Sequence, residues 1–471
     1  MMHAVEPERS HLWEQKRSKL DAIKAKNGAK KRKKGEHRVV FNKNGTTSKI
    51  KKKTDLKFDS SFESGNLAKA TRISKYEYEL ELSFDNDKGH FTQWFYFSVR
   101  RMVKGRTYKF NIINFYKSGS SFRDGMKPLS YSEVKGWRRR AADVKYYEGE
   151  KKKDQSSNYN ILTWTYKQDH DVKKMFFCHC YPYTYSDLCS YLEDVKLKIN
   201  KNIVLIDQVL SKTVDGRDCK LLTVTSSGDD SNKQGVVITA RVHPGESNAS
   251  YMMKGVLDFL LSDDEQAQAL RNLFVFKIVP MLNPDGVFKG NYRCNSIGQD
   301  LNRHYDDPSL EMHPVIVNLK TVISDLVKER GVLLYCDLHG HSTKRNVFMY
   351  GCSDESNVLK DNEIKVFPKM MSMQPMFSYK DCSFNLDQVK TNTGRIVMFQ
   401  KMGIMNSYTM ESSFGITDKD SPKAAHLNRT DFENMGKSLL KTLYLYQTQK
   451  HIVDQVRDDL LRSRGDFRSK L

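Results

Sequence analysis

His243 and Glu246 stand three residues apart where a run of β-formers, Gly235-Val-Val-Ile-Thr-Ala-Arg-Val242, stops. A neutral imidazole and a carboxylate at that spacing can begin a metal site. Catalytic zinc takes three ligands from His, Asp and Glu and leaves a fourth position for water, so one more ligand is needed from elsewhere in the chain. Asp337-Leu-His-Gly-His341 offers it. His339, His341, His304 and His313 all compete for the third position, and His339 is favoured because it falls at the end of another buried strand. No cysteine joins the set, which makes the expected zinc catalytic in type. Glu411 lies in Met405-Asn-Ser-Tyr-Thr-Met-Glu-Ser-Ser-Phe414, an otherwise uncharged, strand-like run. A carboxylate is costly to bury there without a partner, and a metal centre supplies one.

The elements that must position these residues follow from periodicity. Between residues 56 and 184 the chain alternates apolar and polar residues with period two, as in Tyr76-Glu-Tyr-Glu-Leu-Glu-Leu-Ser-Phe84, and lysine-rich turns separate the runs. An antiparallel β-sandwich is the simplest architecture for that series. After residue 185 strands alternate with helices. Gly235–Val242, Leu273–Val279 and Gly331–Leu338 read as buried strands and 249–261 as a helix. This pattern predicts an α/β domain, a mixed sheet with a parallel centre flanked by helices, over residues 185–450. Thr430-Asp-Phe-Glu433 reads as a capping box opening a late helix, with a charged, frayed tail at 451–471. Ligands of open α/β sheets bind beyond the carboxyl ends of the strands. Each predicted inner strand ends there in polar residues: His243 and Glu246, then Asn283-Pro-Asp-Gly286 leading to Arg293 and Asp300–Arg303, then Asp337–His341.

The 471 residues are 38% hydrophobic and 29% charged, with a net charge of +21. Residues 1–54 carry 17 lysines and arginines against 5 acidic residues, a net +12. Residues 1–55 therefore read as a disordered basic arm attracted to a polyanion. The absence of a long apolar run argues against a membrane span, the N-terminus lacks a signal-type apolar segment, and the eight scattered cysteines suit a reduced cytoplasmic protein.

His-Pro-Gly-Glu, Asn-Pro-Asp-Gly, Asp-Leu-Asn-Arg, Asp-Leu-His-Gly-His and Tyr408-Thr-Met-Glu-Ser-Ser-Phe414 occur in that order. Together they resemble the zinc metallocarboxypeptidases, and in particular the cytosolic carboxypeptidase subfamily, over roughly residues 60–450. That subfamily also places an aromatic-rich β-sandwich before its catalytic domain. The resemblance implies one zinc ion held by His243, Glu246 and His339, with Asp300 accepting a hydrogen bond from His243. It implies that Asn302 and Arg303 grip the substrate's terminal carboxylate and that Arg293 stabilises the oxyanion. It makes Glu411 the general base and then the general acid. One departure stands out. Secreted relatives carry a mobile tyrosine some twenty residues before the catalytic glutamate, whereas 387–395 contains none here and Tyr379 lies too far upstream.

The same resemblance implies removal of C-terminal glutamates from acidic or polyglutamylated tails, notably of tubulin, with Arg395 pairing with the terminal side chain. The basic arm would rest on the acidic microtubule surface, with a cytoskeletal or ciliary location; nucleic acid is the less favoured polyanion. Two alternatives are a zinc amidohydrolase acting on N-acyl amino acids and a non-catalytic microtubule or nucleic-acid binder.

Overall fold

The computed structural model describes residues 37–49, 52–86, 91–149, 158–354, 356–386, 391–418 and 425–468. Most of the predicted basic arm lies outside these residues. Two antiparallel-dominated sheets, one of six strands and one of five, face each other to form the N-terminal sandwich. Aromatic side chains fill the space between them, Phe95, Phe97, Phe110, Trp164 and Phe177 all being fully buried. Their alternation with polar neighbours is what the period-two pattern requires of strands buried on one face.

The sandwich begins earlier than the sequence suggested. Arg38–Asn42, inside the stretch read as arm, is a strand paired with Lys69–Ser74. Val40 and Phe41 pack on the core, and buried Arg38 donates to Asp55 at 2.6 Å beside Arg72. A lysine-dominated composition concealed those few apolar residues. At the other end, residues read as a frayed tail form the helix Lys450–Arg468. Its Val453 and Val456 are buried against Val366 and Met370, and Arg457 pairs with Glu363 at 2.7 Å. The preceding helix, Arg429–Thr448, is opened two residues earlier than expected, by a capping box between Asn428 and Asp431.

The C-terminal half is built on seven strands in the order Ile203–Lys212, Asp218–Ser226, Phe274–Val279, Gln234–Ala240, Val332–His341, Asn406–Ser413, Val347–Tyr350. The inner four run parallel and the edges antiparallel. Residues 235–240 are buried on both faces, because helices cover both sides of such a sheet. One apolar core continues from the sandwich into one face of this sheet, and a second core fills the other face. All eight cysteines are free, and no described helix is long and apolar enough to cross a membrane.

Arg241 turns the chain out of the central strand. Its φ of 62° is left-handed, a conformation that costs a non-glycine residue about 1–2 kcal/mol. The buried guanidinium offsets this by donating to Pro244 O at 2.8 Å, Tyr183 O at 3.0 Å and Ser250 Oγ at 2.7 Å. The turn it stabilises presses Gly245 against Tyr292, with Gly245 N donating to Tyr292 O at 2.7 Å; a Cβ would stand 2.8 Å from that oxygen. Arg241→Ala removes the bonds and keeps the strained backbone, so the urea midpoint should fall by the equivalent of about 3 kcal/mol. An unchanged midpoint would show that the turn holds without the guanidinium.

Candidate metal centre and substrate cavity

The turn after Gln234–Ala240 delivers His243 and Glu246, and the end of Val332–His341 delivers His339. Both histidines and the glutamate are at most 4% exposed. His243 Nδ1 lies 2.9 Å from Glu246 Oε1, and His339 Nδ1 lies 3.0 Å from Glu246 Oε2. One ligand atom from each of the three falls within 4.8 Å of the others. The opposite ring nitrogens face carboxylates: His243 Nε2 is 3.2 Å from Asp300 Oδ1, and His339 Nε2 is 2.7 Å from Asp337 Oδ2. A carboxylate at Nε2 fixes the proton there and leaves the Nδ1 lone pair for a cation. Two imidazoles, one carboxylate and no thiolate form a donor set that fits catalytic zinc.

The competing histidines are engaged elsewhere. His341 borders the same cavity, but its Nδ1 accepts from Lys344 N at 2.8 Å. His304 and His313 stack on each other with centroids 4.0 Å apart.

Asp337 was missed as a candidate, although the sequence carried the signal. Residues i and i+2 of a strand share a face, so Asp337 reaches His339 along their own strand, while Thr239 of the neighbouring strand donates to its other oxygen at 2.7 Å. Asp300 bridges two groups, taking the Arg293 Nε donor at 2.6 Å as well as facing His243. Burial pushes the Asp300 carboxyl up, but Arg293 and His243 together hold it well below the usual range.

Glu411 is directly paired with His339 in the parallel register of their strands. Burial pushes its carboxyl up to about 7; His339 pulls the other way, and the like charge of Glu246 adds to the rise. Its Oε2 is buried without a hydrogen-bond partner among the described residues. A buried acceptor left open in this way suits a group that exchanges a proton with a bound molecule.

His243, Glu246, His339 and Glu411 line one cavity of about 600 Å³, which also takes in Arg293, Asn302, Arg303 and Arg395. Asn302 Oδ1 accepts from Gly394 N at 3.0 Å, tying the Asp300–Arg303 turn to the segment that carries Arg395. Arg395 is 7% exposed; its Nη1 donates to Gly351 O and lies 3.5 Å from Cys352 Sγ. Among the described residues no carboxylate forms an ion pair with it. Tyr379 sits in a short turn, Tyr379–Asp381, away from the cavity wall, and 387–390 lie outside the described residues. The tyrosine on the wall is Tyr350.

The N-terminal sandwich also reaches the site. Asp85 accepts from the backbone N–H groups of Tyr292, Arg293 and Cys294 at 2.8, 2.6 and 2.9 Å, clamping the loop that carries Arg293. Burial pushes its carboxyl up to about 7 against the pull of those three amides.

Residues 189–436 match the zinc carboxypeptidase family, and residues 58–177 match the cytosolic carboxypeptidase N-terminal domain. The chain is 45% identical over 413 residues to cytosolic carboxypeptidase 2 of Xenopus tropicalis, covering 84% of this chain and 42% of that protein. It is 39% identical over 437 residues to human cytosolic carboxypeptidase 1, covering 85% and 36% respectively. The chain thus spans less than half the length of these relatives. A metallo-carboxypeptidase structure from Burkholderia cenocepacia superposes with a TM-score of 0.70 at 21% identity, covering 84% of this chain and all of that one, which establishes a shared fold.

Asp337→Asn should keep the fold and weaken zinc binding by roughly 10- to 100-fold, since Asn cannot hold the His339 proton as a carboxylate does. Competition against a chelating dye measures this. Parent-like affinity would mean that Asp337 does not tune the ligand.

Proposed function

This chain belongs to the zinc carboxypeptidase family, in its cytosolic carboxypeptidase branch, and we propose that it removes C-terminal glutamates from acidic or polyglutamylated protein tails, tubulin foremost. One observation carries the proposal: a single cavity holds the His243–Glu246–His339 donor set, the open carboxylate oxygen of Glu411, and the guanidinium groups of Arg293, Arg303 and Arg395. A hydrolytic centre lined with cations suits an anionic substrate end.

The roles are those the family resemblance implies, and the shared cavity supports them. Asn302 and Arg303 receive the terminal α-carboxylate, and a guanidinium is suited to that because its planar fork forms two parallel hydrogen bonds. Arg395 receives the terminal γ-carboxylate; a neutral side chain would leave that buried charge unpaired, which makes selectivity strong. Arg293, held at Nε by Asp300, turns its remaining N–H groups to the oxyanion that develops on the scissile carbonyl. Zinc bound at the donor set would act as the Lewis acid of the reaction and ease deprotonation of water. Glu411 takes a proton from the attacking water and delivers it to the departing amine nitrogen as the C–N bond breaks. The zinc amidohydrolase and the non-catalytic binder stand behind this proposal, because neither needs paired sites for two carboxylates.

The deciding experiment is mass spectrometry of a peptide ending in several glutamates, incubated with the parent, Glu411→Gln and Arg395→Met. The parent should release single glutamates stepwise. Glu411→Gln should keep zinc and lose activity by about a thousandfold, and Arg395→Met should lose about a hundredfold on glutamate. A zinc-loaded parent that leaves the peptide intact would overturn the deglutamylase assignment.

The basic residues 1–36 fit a cytoplasmic, cytoskeletal setting in which the arm rests on the acidic microtubule surface. Deleting them should reduce co-sedimentation with microtubules severalfold at low salt. Unchanged co-sedimentation would remove the arm from the account.

A further inference from the structure

Lys117 belongs to the sandwich, just beyond its strand Thr107–Phe115, yet its ammonium lines the cavity of the catalytic domain. Its backbone is fixed by the Tyr146 hydroxyl, which donates to Lys117 O. Its Nζ donates to Tyr292 Oη at 2.7 Å and to Ser342 Oγ at 3.2 Å, and lies 5.1 Å from the Tyr292 ring centroid. Ser342 is itself pinned, its carbonyl accepting from Ser121 N at 2.8 Å and Ser121 Oγ at 3.0 Å. An ammonium has three donors. Two go to neutral hydroxyls, and among the described residues no carboxylate forms an ion pair with Lys117. A half-buried cation held this rigidly, with a donor left over and no ion-paired carboxylate among the described residues, is arranged to receive an anion from outside, although its charge also reaches Glu411 across the cavity.

Its place indicates which anion. Asn302, Arg303 and Arg395 form one wall, joined through Asn302 and Gly394, and in the proposed function they take both carboxylates of the last residue. In the same proposal Arg293 serves the scissile carbonyl. Lys117 stands on the sandwich side, held by Tyr292, the neighbour of Arg293, and by Ser342, three residues beyond His339. A substrate whose last residue fills the arginine wall must lead its preceding residue out along the remaining lining. We infer that Lys117 is a specificity residue contributed by the N-terminal domain, binding a carboxylate on the residue that precedes the scissile bond. The inference rests on the deglutamylase proposal and deepens it: the enzyme would read acidity at two successive positions, and the sandwich would be half of the recognition surface.

The test compares kcat/KM on two peptides of the same length, one ending in Glu-Glu and one in Ala-Glu, for the full chain and for Lys117→Met, Lys117→Gln and Lys117→Arg. Gln keeps a hydrogen-bonding group near Tyr292 and Ser342 without the charge, which guards against a fold defect in the Met variant. Both neutral variants should lose roughly tenfold to a hundredfold on the Glu-Glu peptide, mainly through KM. They should stay within about twofold of the parent on Ala-Glu, and Arg should restore most of the loss. Equal losses on both peptides would overturn the inference and place Lys117 in support of Glu411 or of the domain interface. A parent that cleaves neither peptide would sink the underlying proposal; a parent that cleaves both equally well would sink only this one.

Discussion

Glu246 between His243 and His339 is the contact on which the rest of the molecule depends. Its two oxygens sit 2.9 and 3.0 Å from the two Nδ1 atoms in a region almost closed to water. Burying such groups singly would cost several kcal/mol each. The chain meets that cost with further bonds. Gly340 N donates to Glu246 Oε2 at 2.9 Å, Asp300 and Asp337 face the outer nitrogens, and Arg293 and Thr239 hold those aspartates in turn. Each link is a buried polar group satisfied by the next, and the series ends in the Gly340 amide, the Thr239 hydroxyl and the Arg293 guanidinium at the cavity.

Seen from this cluster, the sandwich is part of the site's foundation. Asp85 clamps the Tyr292–Cys294 amides, Lys117 and Ser121 hold Ser342, and Arg139 donates to Phe414 O at 3.0 Å, just past the Glu411 strand. His179 packs its ring on Phe414 with centroids 4.7 Å apart. The loops around the metal cluster are thus braced from a separate stretch of chain, which keeps them from relaxing when a charged substrate enters.

What could be read in the sequence divides along a physical line. His243, Glu246, His339 and Glu411 were legible because each sits at or near the end of a strand whose apolar run is unmistakable. Asp337 was legible in principle, through the two-residue strand repeat. Asp85 and Lys117 were not. Each lies well over a hundred residues from its partners in the catalytic domain, and nothing local marks an aspartate or a lysine as facing another domain. The fold shows the same division. The inner strands were found close to their true ends, whereas Arg38–Asn42 and Lys450–Arg468 were hidden because their surroundings are charged and their apolar residues are few. In both cases tertiary burial supplied what composition argued against.

The placement of the chemistry comes from the backbone ladder. Thr239 pairs with Asp337, Asp337 with Thr409, and His339 with Glu411, so the proposed base, a ligand and that ligand's carboxylate partner are positioned by parallel hydrogen bonding between strands. Side chains alternate between faces, and a slip of one residue would carry Asp337 and His339 to opposite relations with Glu411. The apolar residues between them, Leu338 and Met410, are fully buried on the other face and forbid that slip. The hydrophobic pattern that makes these segments strands therefore also sets the register that brings an imidazole and a carboxylate together. Gly340, where a Cβ would come within 2.4 Å of Asn248 Oδ1, lets that ladder continue past the ligand. Core packing and site geometry are one constraint, expressed on the two faces of the same strands.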